Sequence, residues 1–206
     1  MAPAMFLLAC MAAPAADAES LARAIEASLV RDGVAIDRLA DDHEFCRRVH
    51  LDLAGRIPTP EETRKYLAEP AASRRSSLVS RLVSSREFAE TMAGTLHLML
   101  MERLGDNDAW KGYLTGFATS DRSVRDLTRE VLDPGANSVP AGAGFFLSKR
   151  LENYGQNPVD YPGLTRDVGR LFLGMDLRCA QCHDHLTVPS YKQAHYQGLY
   201  AFTRQM

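Results

Sequence analysis

Apolar residues recur at three- and four-residue spacing through almost the whole chain, and no stretch alternates long enough to make a strand. Leu21, Ile25 and Leu29 repeat before Gly33, and Phe45, Val49 and Leu53 repeat before Gly55. Such spacing puts one apolar stripe on one face of a helix. Leu78, Val79, Leu82 and Val83 form a further stripe, and Phe88, Met92, Leu96 and Met99 carry a long helix towards Gly105. Trp110, Tyr113, Leu114 and Phe117 follow the i, i+3, i+4, i+7 pattern, and Leu164, Val168, Leu171 and Phe172 lead to Gly174. Helix starts are written in the same way. Thr59-Pro60-Glu61-Glu62 and Ser84 with Glu87 read as capping boxes, and Ser123 with Asp126 caps a further helix. Residues 133–144 and 155–163, rich in Gly, Pro and Asn, read as long loops. The expectation is an all-α fold with one helical domain over residues 19–206 and a turn before the last helix, which resumes over Tyr191–Phe202.

The 206 residues suit a single core, and 46% hydrophobic content is enough to fill one. The formal charge of −2 gives no electrostatic reason to expect nucleic acid or an anionic membrane as partner. Residues 1–18 read as a signal-like segment. The apolar run Met5–Ala13 precedes small residues at Ala13-Pro14-Ala15 and Ala16-Asp17-Ala18, although no basic residue stands before it. This implies export to the periplasm or cell surface. Leu8-Ala9-Cys10 resembles a lipoprotein cleavage box, which makes Cys10 a candidate point of membrane attachment.

Of the four cysteines, Cys46 sits in a helical pattern and reads as a small buried hydrophobe. Cys179 and Cys182 belong to Arg178-Cys179-Ala180-Gln181-Cys182-His183-Asp184-His185. Cys-x-x-Cys-His is the attachment sequence of c-type haem. Two thiols on one side of a helical turn add to the vinyl groups of one porphyrin edge, and the next residue supplies the proximal imidazole. With 4 cysteines and 6 histidines, chance supplies such a match about 0.002 times per chain, which makes coincidence a poor explanation. Cys179, Cys182 and His183 are therefore the expected cofactor-binding residues, with haem c bound covalently and His183 on the iron. Zinc held by Cys179, Cys182, His183 and His185 is the alternative, and a plain disulfide remains open. His185 is an alternative ligand or a residue that orients the site, and Asp184 has the second of these roles. Met175, His195, His97, Met99 and Met101 are candidates for the far side of the iron. If that position is open, a haem enzyme with Asp184 or His185 as proton donor is a further reading.

Two stretches resemble DUF1549, a cytochrome-like domain of unknown function from large exported planctomycete proteins. The first runs Arg47-Arg48-Val49-His50-Leu51-Asp52-Leu53-Ala54-Gly55-Arg56-Ile57-Pro58-Thr59-Pro60-Glu61. The second joins Phe172-Leu173-Gly174, Cys179–His185, Tyr191-Lys192-Gln193 and Leu199-Tyr200-Ala201-Phe202. The resemblance spans residues 41–206 and implies no assigned activity. It does imply a neighbouring domain or redox partner, because relatives usually continue further. This chain departs from the pattern at Leu186, commonly proline, and at His195, commonly acidic, which counts against His195 as a shared ligand. Asp184 and His185 match, although haem attachment needs neither. Electron transfer, alone or in a larger redox assembly, is the expected role.

Overall fold

A computed structural model describes residues 18–31, 39–135, 140–152 and 159–206. Ten α-helices and one short 3-10 turn make up the regular structure of these residues, with no strand among them. The fold is all-α. The signal-like reading of residues 1–17 and the Cys10 attachment point lie outside the described residues, as do parts of both long loops. Helix α1, Ala18–Arg31, belongs to a unit of its own that ends at Asp41, and its side chains Ile25 and Val30 are exposed. No described helix is long and apolar enough to cross a membrane.

Residues 42–206 form the second unit. It starts with α2 (Asp42–Ala54), α3 (Pro60–Ala68), α4 (Arg74–Val83) and α5 (Arg86–Met101). It continues with α6 (Asp108–Ala118), α7 (Val124–Leu132), α8 (Phe145–Arg150) and α9 (Tyr161–Leu173). The 3-10 turn Cys179–Gln181 and α10 (Gln193–Thr203) close it. Helix α2 packs on α3, α4 and α5, α5 lies along α6, and α9 lies along α10.

The capping chemistry explains several of these starts. Thr59 accepts from the Glu62 amide while the Glu62 carboxylate accepts from the Thr59 amide, and Ser123 and Asp126 repeat the exchange. The cap of α5 is one residue later than the sequence suggests. Ser85 accepts from the Phe88 amide, whereas Ser84 ends α4, and Glu87 is drawn away to pair with Arg56. Helix α9 also starts inside the expected loop. Asp160 caps it, and Pro162 occupies the first turn, where its missing N–H costs nothing.

Two apolar clusters hold the helices. The larger gathers Trp110, Tyr113, Leu114, Phe117, Val131, Phe146, Leu164 and Val168. Each such side chain, fully buried, stabilises the fold by about 1.5–3 kcal/mol. Arg150 is buried against this cluster. Its guanidinium lies 3.9 Å over Phe146, donates to Asp167 at 3.0 Å and reaches the Leu100 carbonyl at the end of α5. Burial pulls its pKa down, and Asp167 opposes that pull. The smaller cluster joins Cys46, Ala54, Tyr66, Leu78 and Leu82. Cys46 is fully buried, as its helical setting suggests, and burial pushes its thiol pKa up.

Candidate functional site

The motif is held on the outside of α9 and α10. Helix α9 ends at Gly174, whose φ of 64° lets the chain turn back. The Met175 amide then donates to the Gly169 carbonyl, and a Cβ at Gly169 would meet the Leu177 side chain at 3.0 Å. That close approach seats Leu177 beside Ala180 and Tyr196 in a third small cluster, with Met175 packed on its edge. Ala180, between the two cysteines, is fully buried and pins the turn. Gln181, the other intervening residue, accepts from Arg166 of α9 at 2.8 Å.

Around this anchor the reactive groups face outwards. Cys179 and Cys182 are exposed free thiols. The amides of Cys182 and His183 both donate towards the Cys179 carbonyl, so the five residues make one helical turn. His183 is exposed, and its Nδ1 lies 2.7 Å from the Asp184 carbonyl oxygen. A carbonyl only accepts, so Nδ1 carries the proton and Nε2 keeps its lone pair.

The other histidines are arranged differently. His185 Nδ1 accepts from the amides of Thr187 and Val188 at 3.2 and 3.1 Å. His195 Nδ1 accepts from the Lys192 amide at 3.2 Å, which caps α10, and His97 Nδ1 accepts from the Trp110 indole at 3.1 Å. In the neutral form each of these rings carries its proton on Nε2 and has no free lone pair for a metal. His50 shares the His183 pattern, with Nδ1 at 2.9 Å from the Cys46 carbonyl, but it is buried. Among the five histidines with a described ring contact, His183 alone combines exposure with a free Nε2.

Asp184 works through its side chain as well as its carbonyl. Its carboxylate accepts from the Gln193 amide at 2.9 Å and pairs with Lys192 at 3.1 Å, and both hold its pKa below the usual carboxylate range. Gln193 Nε2 donates to the Cys182 carbonyl at 2.8 Å. The stretch after the motif is thus tied back to the start of α10. The His185 amide adds a bond to the Tyr191 carbonyl, and the two rings meet edge to face at 5.8 Å.

Sequence reasoning gathered Cys179, Cys182, His183, Asp184 and His185, and they are neighbours here. Among the described residues, no three Cys, His, Asp or Glu side chains converge as a metal cage. Of the far-side candidates, Met175 is packed near Ala180, Met101 is buried under Arg150, and Met99 is 61% exposed on α5. Arg166 and Gln193 were not singled out for the site. Arg166 belongs to no motif, Gln193 entered only within the family-like stretch Tyr191-Lys192-Gln193, and the folding of α9 and α10 onto the turn brings both there.

No curated protein and no solved structure matches this chain. A family model described as PSCyt2, Protein of unknown function (DUF1549), matches residues 20–206, which include both resembling stretches and every residue of the site. The chain belongs to the DUF1549 family.

Proposed function

We propose that this chain is an exported c-type haem protein serving electron transfer, alone or within a larger redox assembly. Cys179 and Cys182 provide the thioether anchors and His183 the proximal ligand. The observation that carries this reading is that His183 is exposed on the same turn as two exposed thiols while its Nδ1 donates to the Asp184 carbonyl. Metal-bound histidines regularly donate their second ring nitrogen to such an acceptor, which fixes the tautomer and raises the basicity of the ligating nitrogen. The donor set suits the group: two exposed free thiols on one turn, followed at once by an imidazole with a free lone pair. Bound there, haem would supply a one-electron redox centre. The chain's own contribution is to orient His183 through Asp184 and to hold the turn by Ala180 and Gln181.

The zinc reading is weaker because His185 spends its Nδ1 lone pair on two backbone amides. Of the two proton donors that the haem-enzyme reading offers, Asp184 or His185, the Asp184 carboxylate is engaged by the Gln193 amide and Lys192, which hold its pKa below the usual carboxylate range. Export rests on the apolar run at Met5–Ala13. The deciding experiment is expression in a host with periplasmic cytochrome maturation. The expected product has lost residues 1–18, shows a Soret band, and stains for haem after denaturing electrophoresis, because thioethers survive boiling. Equimolar zinc with no haem stain overturns the proposal.

A further inference from the structure

A cleft of about 370 Å³ opens beside the cysteine turn, lined by Glu102, Arg166, Asp167, Arg170, Asp176 and Arg178. Its carboxylates are not equivalent. Asp167 is clamped between the buried Arg150 and Arg170, so its charge is committed to the fold. Glu102 and Asp176 are held at the surface, Glu102 by Arg170 alone among the described residues and Asp176 by the guanidinium and the amide of its near neighbour Arg178. Glu102 pairs with Arg170 at 2.9 Å and Asp176 pairs with Arg178, and all four side chains are more than 40% exposed. Ion pairs of this kind contribute little and exchange readily. Glu102 is also the one non-glycine residue with positive φ among those described, at φ 54° and ψ −102°. Backbone strain of that sort clusters at ligand sites and switch regions. Arg166 adds a third guanidinium with spare donors: its hydrogen bond goes to the neutral Gln181, and its nearest carboxylate, Asp160, is 3.9 Å away.

We propose that this cleft binds a pair of carboxylates carried by one ligand, which takes the places of Glu102 on Arg170 and Asp176 on Arg178. The protein's own two carboxylates mark the positions, and guanidinium is the group best shaped to receive carboxylate oxygens. Two sources supply this chemistry. One is a free dicarboxylate. The other, which rests on the haem reading above, is the two propionates of a haem anchored at Cys179 and Cys182.

Titrating the haem-free chain with glutarate, against acetate at equal ionic strength, tests the cleft itself. Glutarate is expected to raise the melting temperature saturably and acetate is not. Arg170→Gln should abolish the effect, and Arg178→Gln, on the exposed rim where folding is safe, should weaken binding about tenfold, as expected for one lost charge-assisted bond. Glu102→Gly removes both the competing carboxylate and the strain, and should tighten binding. If glutarate acts no better than acetate, or if both arginine variants bind it as the parent does, the proposal is wrong. The haem-loaded chain then separates the sources. Unchanged glutarate binding means a free ligand, whereas blocked binding that depends on covalent haem means the propionates. The haem-free titration stands whether or not haem attaches.

Discussion

Among the described residues, cysteine and histidine meet in two places, and the surroundings of the two meetings are opposite. On α2, Cys46 and His50 are one helical turn apart, with the sulfur 3.8 Å from Nδ1; both are buried, and Cys46 packs with Tyr66, Leu78 and Leu82. At the end of α9, Cys179, Cys182 and His183 use the same atoms on a surface turn, outside the two main cores. In both, the histidine Nδ1 faces a main-chain carbonyl, Cys46 for the first and Asp184 for the second. The tautomer therefore does not distinguish a structural pair from a reactive one. Access does: burial makes a thiol harder to ionise and closes it to reagents, whereas a surface turn leaves both thiols open.

Thiol labelling of the haem-free protein is the sharpest way to break this contrast. Cys179 and Cys182 should react freely in the native state. Cys46 should react only through opening of the fold, slower by roughly 10³-fold or more given ordinary domain stabilities. Native labelling of Cys46 at the rate of the other two would erase the distinction.

Stability should follow the same division, read by denaturant melts of three alanine variants in the haem-free form. His50→Ala opens space in a packed cluster and should cost about 2–4 kcal/mol. His185→Ala removes the acceptor of two amides in a half-exposed loop and should cost about 1 kcal/mol. His183→Ala should stay within about 0.5 kcal/mol of the parent, as surface substitutions do. Should His183→Ala prove the most damaging of the three, the motif would be part of the core after all. With haem attached, His185→Ala should keep the cofactor, while His183→Ala should alter the iron spectrum.

A further small effect lies outside both groups and sets a background for them. Arg56 grips Glu62 with two hydrogen bonds of 2.9 and 2.8 Å and lowers its pKa from 4.5 to about 2. A depressed carboxylate stabilises the fold fully above its unfolded value, near 4.5, and loses that contribution as pH falls through about 2. The pair is half-exposed, so solvent screening keeps its worth to about 1 kcal/mol. The stability difference between the parent and Glu62→Gln should shrink between pH 5 and pH 2, taken as a round window about those values. A difference that stays constant over the window would count against the pairing.

Much of the fold was legible because helices announce themselves in one dimension. Thr59 with Glu62 and Ser123 with Asp126 are local exchanges, complete within four residues. Ser84 was misread for Ser85 because two adjacent serines offer the same oxygen, and a distant Arg56 decided where Glu87 went. The helix α8 and the buried Arg150 were not foreseen. A lone arginine in a sequence gives no sign that Asp167, seventeen residues on, will meet it inside the fold. At the site, residue types and spacing named the candidate donors. The roles of Asp184 and His185 depend on hydrogen bonds to Gln193, Thr187 and Val188, which only the closed loop defines.

Two of the bonds that fasten that loop come from one residue. Gln193 holds the Cys182 carbonyl with its side chain and the Asp184 carboxylate with its main chain. Leu186, 84% exposed, sits within the span so enclosed. With both ends fastened, the ring can be lengthened without disturbing what lies on either side of it, and doubling a flexible loop costs only about 0.6 kcal/mol. Thr187 and Val188 are tied to His185, so the place where this chain can accept inserted sequence is Pro189-Ser190, where a graft would stand beside the cysteine turn and give up only the Tyr191–Val188 turn bond.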